Sequence, residues 1–202
     1  MKMVKKDMKR FILGLSSGKA KGYAAIALVE TFGEYRINKR YNLRRVERFK
    51  FKSDDDIVNR IIEFLDNDQL KENLDLIADT TVCGQKLIDS LIKAKLNPVA
   101  VTMIDEGTAT SNDVDRVLLK KELLTNLQML YVAERLRINP QSALGRVIAE
   151  EILRFRVRKT PENDDMGKSD KKPEYEDLIF ALALACWYGQ ETSKKEVILP
   201  NT

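Results

Sequence analysis

The spacing of apolar residues changes near residue 53, and that change constrains the fold more than any other feature. Before it come three apolar segments of strand length. They are 10–16 (Arg-Phe-Ile-Leu-Gly-Leu-Ser), 23–31 (Tyr-Ala-Ala-Ile-Ala-Leu-Val-Glu-Thr), and a longer one carrying Tyr35, Ile37, Tyr41, Leu43, Val46, Phe49 and Phe51. Short glycine-marked turns at 17–22 and 32–34 separate them, which predicts an antiparallel meander. After it, Ser53-Asp54-Asp55-Asp56 reads as a helix N-cap with acids in the first turn. Ile57, Ile61, Ile62 and Leu65 then recur at helical spacing. A strand at 74–79, a helix at about 85–95 and a strand at 98–104 follow, a unit whose length requires parallel pairing. The spacing then predicts a loop over 105–112, a helix from Leu118 to Arg135, a short extended piece at 136–139 and a helix over 141–157. The last strong element is 176–187. No internal repeat is visible, so the expectation is one mixed-sheet α/β domain over 10–190. Residues 1–9 read as a basic N-terminal tail, 159–174 as a mobile loop and 191–202 as a C-terminal tail.

Composition excludes several chemistries. The 202 residues contain no histidine and two cysteines, Cys83 and Cys186. Ser-His and Cys-His nucleophiles, the usual zinc sites and a disulfide framework are therefore ruled out. Both cysteines read as small core residues in a reducing compartment. The longest apolar run, 178–188, is shorter than the ~20 residues of a membrane span, and the N-terminal apolar stretch is too short for a signal peptide. Residues 1–52 carry 15 Lys/Arg against 4 Asp/Glu, whereas the other 150 carry 20 against 27. Arg36, Lys39, Arg40, Arg44, Arg45, Arg48, Lys50 and Lys52 crowd one segment of the basic part. Such a field attracts phosphate backbones, but it also suits a solvated edge strand protected by Lys and Arg.

Two constellations are candidates for chemistry. Gly14-Leu-Ser-Ser-Gly18-Lys19-Ala20 has three residues between its glycines and alanine after the lysine. A phosphate-binding loop needs four, then Ser or Thr to hold magnesium, so this is a turn and no nucleotide site is expected. The acids are the stronger candidate. Asp79 ends a parallel strand, where α/β sheets place functional groups, and Glu176 and Asp177 open the last apolar helix. The pair also suits the positive end of a helix dipole. Carboxylates at neighbouring strand ends converge on one point, and such a cluster can hold magnesium.

Three segments resemble the nuclease domain of phage terminase large subunits: 11–14 with 23–30, 77–84 with Asp89, and Glu176-Asp177-Leu-Ile-Phe-Ala-Leu-Ala-Leu-Ala-Cys-Trp187. Lys120-Lys-Glu-Leu-Leu also resembles that family's Lys-x-x-Leu helix start after the fifth strand. The resemblance implies a ribonuclease H-like fold, with a mixed five-stranded sheet flanked by helices. It further implies metal-dependent cleavage of double-stranded DNA by two Mg²⁺ or Mn²⁺ ions. Asp79 and Asp177 would be the metal ligands, with Glu176 beside them in the catalytic set. Three positions depart from the family pattern: Ser16 stands where the first-strand Asp belongs, Gly22 where a second Asp follows, and Val82 where glycine is expected.

These departures lead to a first reading of a DNA-binding, terminase-nuclease-like protein with reduced or lost nuclease activity. Arg36, Lys39, Arg40, Arg44, Arg45 and Lys120 are its expected DNA contacts. An active Mg/Mn-dependent endonuclease of viral DNA packaging and a Holliday junction resolvase-like nuclease are the alternatives. The resemblance implies a phage or prophage origin, the host cytoplasm, no membrane association, and a separate packaging motor or portal protein as partner.

Overall fold

A computed structural model describes residues 9–17, 22–33, 35–36, 38–66, 73–81, 84–107, 110–111, 116–154 and 175–197. Residues 1–8 of the expected tail at 1–9, the expected loop at 159–174, and Val82 and Cys83 lie outside the described residues. The meander is β1 (Arg10–Ser17), β2 (Tyr23–Phe32) and β3 (Arg40–Lys50). Helix α1 (Asp54–Asp66), β4 (Leu74–Asp79), α2 (Gly84–Lys93) and β5 (Val99–Ile104) follow as the period change predicts. Next come β6 (Thr110–Ser111), β7 (Arg116–Leu119), α3 (Lys120–Val132), β8 (Leu136–Arg137), α4 (Ala143–Arg154) and α5 (Glu176–Val197).

Among the described residues the sheet has eight strands in the order β6-β7-β5-β4-β1-β2-β3-β8, not the expected five. The additions are at the edges. β8 falls within the short extended piece expected at 136–139, whereas the two-residue β6 is too short for any periodic signal. Leu118 and Leu119 belong to β7 rather than to the following helix, because Met103 and Ile104 of β5 take them as parallel partners. β3 starts at Arg40, five residues after Tyr35. At Gly33 (φ 106°) an added Cβ would lie 2.7 Å from the Asn38 carbonyl oxygen, so the turn before β3 closes tightly there. The final helix runs to Val197, past the expected domain end at 190, and Ser193 on its last turns is buried.

Two cores form, one on each face of the sheet. On one face, Leu13, Leu15, Ile26, Leu28, Leu76 and Ala78 pack against Ile57, Ile61 and Phe64 of α1 and Leu87 and Leu91 of α2. On the other, Ile12, Ala25, Ala27, Val29, Ile77, Val101 and Met103 pack against α3, α4 and α5. The alternation of strand side chains assigns each residue to its face. The second face is lined by small residues beneath α5, and Gly14 comes closest. A Cβ added there would fall 1.9 Å from the carbonyl oxygen of Ala181. The Ala/Leu-rich stretch of α5 thus lies with its backbone against β1, which sets its N-terminus over the C-terminal ends of β1 and β4.

Candidate functional site: an acid cluster at the sheet edge

β1, β4 and β5 are parallel, so their C-terminal ends share one edge of the sheet. Leu15 pairs with Ala78, and the next step along both strands brings Ser16 beside Asp79. The Ser16 hydroxyl donates to Asp79 Oδ2 at 3.4 Å. Asp79 Oδ1 accepts the Thr81 backbone N–H at 2.9 Å and also the Thr81 hydroxyl. Thr81 Oγ1 in turn accepts the Met103 N–H at 2.9 Å, so the turn after β4 is tied to β5. Ser16 and Asp79 are each 2% exposed. Burial pushes the Asp79 carboxyl above the usual aspartate range, against the opposing pull of the Thr81 hydrogen bonds, Lys120 and Ser16.

Asp177 enters from α5. It is 3% exposed, and its Oδ2 accepts Nε–H of Arg48 at 2.7 Å. Its Oδ1 is buried with no hydrogen-bond partner among the described residues. Glu176, one residue earlier, is half-buried. Lys120 heads α3, with its ammonium 2.8 Å from Asp105 Oδ1 and 5.8 Å from the Phe180 ring. The structure therefore brings Ser16, Asp79, Glu176, Asp177 and Lys120 to the same edge of the fold.

Arg48 is the residue that sequence reasoning left out of the site. Across the meander, Ser16 pairs with Ala25 and Ala25 with Arg48, so the three form a row over neighbouring strands. A β-bulge between Leu28 and Val29 of β2 leaves Arg44 as the extra residue on β3. Before it, Tyr41 and Leu43 face α5; after it, Val46 does. The parity switch puts Arg48 on the α5 face, while Arg45 and Glu47 turn to α1, where they meet Phe64 and Arg60. The run of eight basic residues held the signal, but its face depends on the bulge.

The other expected DNA contacts do not gather here. Arg36, Arg40 and Arg44 sit toward the start of β3, and Arg40 is eight residues from Arg48, roughly 25 Å along an extended strand. Arg45 stacks on Phe64 at 4.0 Å and donates to its carbonyl at 3.0 Å. Lys39 is 5% exposed, and its ammonium donates to Ser193 Oγ at 2.9 Å. It faces the end of α5 rather than solvent. Arg36 and Arg40 are exposed, and Arg44 lies 3.8 Å from Glu30.

The donor set does not fit two divalent ions. Asp79 and Asp177 contribute one carboxylate each, Ser16 is neutral, and a guanidinium already occupies one oxygen of Asp177. Among the described residues no group of three or more Asp, Glu, Cys or His side chains is arranged to hold a metal ion.

The sheet order and the position of α5 define the class: the chain has the ribonuclease H-like fold of large terminase nuclease domains. It is similar to the large terminase nuclease from thermophilic phage G20c with bound magnesium, at 18% identity over 90% of this chain and 82% of that one, with a TM-score of 0.57. The large terminase nuclease domain of Thermus phage P74-26 matches at 18% identity over 89% of this chain and 81% of that one, TM-score 0.54. The manganese-soaked human cytomegalovirus terminase nuclease domain matches at 14% identity over 96% and 90%, TM-score 0.51. No protein-family model and no curated protein matches the chain. Among the described residues, no helix is long and apolar enough to cross a membrane.

Proposed function

We propose that this chain is a terminase-nuclease-like protein of phage or prophage origin that binds double-stranded DNA and has reduced or lost nuclease activity. The observation that carries this reading is the Ser16–Asp79 pair. By the resemblance to terminase nucleases, an Asp at the end of the first strand would help hold the two ions of a two-ion phosphodiester hydrolysis. Here the side chain beside Asp79 is a neutral hydroxyl, which supplies no charge to gather a second dication. Each 1.4 kcal/mol lost in transition-state stabilisation costs about tenfold in rate. Support for DNA as the partner comes from the relatives' fold and from the exposed basic residues Arg36 and Arg40, with Arg44 and Lys120 as further candidates. A separate packaging motor or portal protein is the partner such a module would serve.

A second reading, an active Mg/Mn-dependent endonuclease, draws on one observation. Asp177 Oδ1 is buried without a partner among the described residues, and one magnesium ion needs only one or two protein carboxylates.

A plasmid-nicking assay in Mg²⁺ and Mn²⁺, run beside Asp79→Asn and Asp177→Asn, separates the two. The first reading expects no cleavage above background from folded protein, together with DNA binding that weakens steeply with salt as counterions are released. Cleavage by the wild type that both variants lose overturns it in favour of the endonuclease. Absence of salt-sensitive DNA affinity removes the DNA-binding half.

A further inference from the structure

We infer that Arg48 is a built-in cation of the acid cluster, supplying to Asp177 the positive charge that a divalent metal would otherwise provide, so that the cluster is assembled without metal. The inference deepens the reading of a weakened nuclease site and rests on it. A carboxylate as buried as Asp177 needs a counter-charge, since an unpaired charge in that environment is strongly destabilising. Arg48 meets that need with an ion pair of 2.7 Å, its own side chain 18% exposed.

The guanidinium is held rather than merely nearby. Its central carbon lies 4.3 Å from the centroid of the Tyr23 ring and 5.1 Å from that of Tyr175. Tyr23 opens β2 and Tyr175 immediately precedes α5, so the cation is gripped from the sheet and from the helix that carries Asp177. Stacking on aromatic faces suits the flat, weakly hydrated guanidinium and restricts its freedom before any ligand arrives. The bulge at Arg44 re-aims β3 so that this side chain, not its neighbours, reaches the cluster. Its row-mate on β1 is Ser16, whose hydroxyl bonds Asp79 and adds no negative charge to draw a metal in.

A divalent ion approaching Asp177 must therefore displace the guanidinium or stand beside it against like-charge repulsion. Arg48 supplies one positive charge directly to Asp177, and Lys120, paired with Asp105, supplies a second nearby. The cluster thus carries its own cations, in a fold whose relatives are described with bound zinc, with bound magnesium or as manganese-soaked.

The test is a comparison of the full chain with Arg48→Gln, Arg48→Lys, Asp177→Asn and the double variant Arg48→Gln/Asp177→Asn. Each is melted with and without about 10 mM Mn²⁺, and bound Mn²⁺ is read from the loss of the free-ion electron paramagnetic resonance signal. Wild type and Arg48→Lys are expected to show no Asp177-dependent binding and no shift in Tm. Arg48→Gln is expected to melt lower and to recover by about 4 °C or more in Mn²⁺, on the scale that weak ligand binding moves a domain of this size. The double variant is expected to lose that recovery. Mn²⁺ binding by the wild type that Asp177→Asn abolishes overturns the inference, and so does folded Arg48→Gln without an Mn²⁺ response. Should Arg48→Gln not fold, the wild-type titration decides alone. DNA affinity is measured separately, so its absence would count against DNA binding and leave the metal result to stand or fall by itself.

Discussion

Gly14 of β1 and Ala181 of α5 meet backbone to backbone: a Cβ at Gly14 would fall 1.9 Å from the Ala181 carbonyl oxygen. No flexible side chain is available to give way, so relief would require moving α5 as a whole. That helix carries Asp177 and much of one core. Gly14→Ala is therefore expected to cost roughly 3 kcal/mol or more, at the upper end of overpacking effects. Urea unfolding of the two proteins at equal temperature checks it. A loss under 1 kcal/mol would mean that α5 is not seated as described.

Asp79 and Asp56 should shape the acid dependence of stability in opposite senses. Burial raises the Asp79 carboxyl above its ordinary 3.8. The folded state thus binds that proton more tightly than the unfolded chain, and the associated stability is greatest below about pH 4 and is lost as pH rises through the folded value. Asp79→Asn keeps an acceptor for Thr81 but removes the charge. Its stability relative to wild type is expected to rise from pH 4 to pH 7, measured as the difference in unfolding free energy.

Asp56 sits in the first turn of α1, where its Oδ2 accepts the Lys52 N–H at 2.8 Å and the Ser53 N–H at 3.1 Å, and Ser53 Oγ accepts the Asp56 N–H at 3.3 Å. This reciprocal arrangement is a capping box. The backbone N–H of Lys52, then that of Ser53, lowers the Asp56 carboxyl below 3.8. Its stability is present above about pH 4 and disappears as pH falls through the folded value. Asp56→Ala is expected to narrow the gap to wild type as the solution is acidified below pH 4. A gap that widens there would contradict the cap.

Tyr41 offers a prediction in the stabilising direction. Its ring is fully buried against Gly189, yet its hydroxyl has no hydrogen-bond partner among the described residues. Burial, the largest influence, pushes its ionisation well above the usual tyrosine range. A buried donor left unsatisfied costs about 1–3 kcal/mol. Removing the hydroxyl while keeping the ring recovers part of that, so Tyr41→Phe is expected to raise Tm by about 2–4 °C. A lower Tm would reveal that the hydroxyl is satisfied.

The order of elements was legible in the sequence because periodicity is local. The apolar runs of strand length at 10–16 and 23–31 and the helical recurrence of Ile57, Ile61 and Leu65 depend only on near neighbours along the chain. So does the cap at Ser53. Asp79 and the Glu176-Asp177 pair could be placed at element ends for the same reason, and through resemblance they could be assigned to one edge of one fold. The short extended piece at 136–139 matches β8, but the two-residue β6 could not be read, since two residues have no period, and Leu118 and Leu119 fitted a helical stripe until pairing with β5 claimed them.

The tertiary structure alone decided which cation meets which acid. Arg48 and Asp177 are 129 residues apart, and their contact depends on a single extra residue in β3 that exchanges the faces of every side chain after it. The same basic segment contains Lys39, buried under the end of α5, and Arg40, about 25 Å from the acid cluster along the strand. Charge counted along the sequence joined these residues into one surface. Strand direction, register and one bulge divided them among the core, the far end of the sheet and the site itself, because in a sheet the position of a charge is set by its partners across strands rather than by its neighbours in the chain.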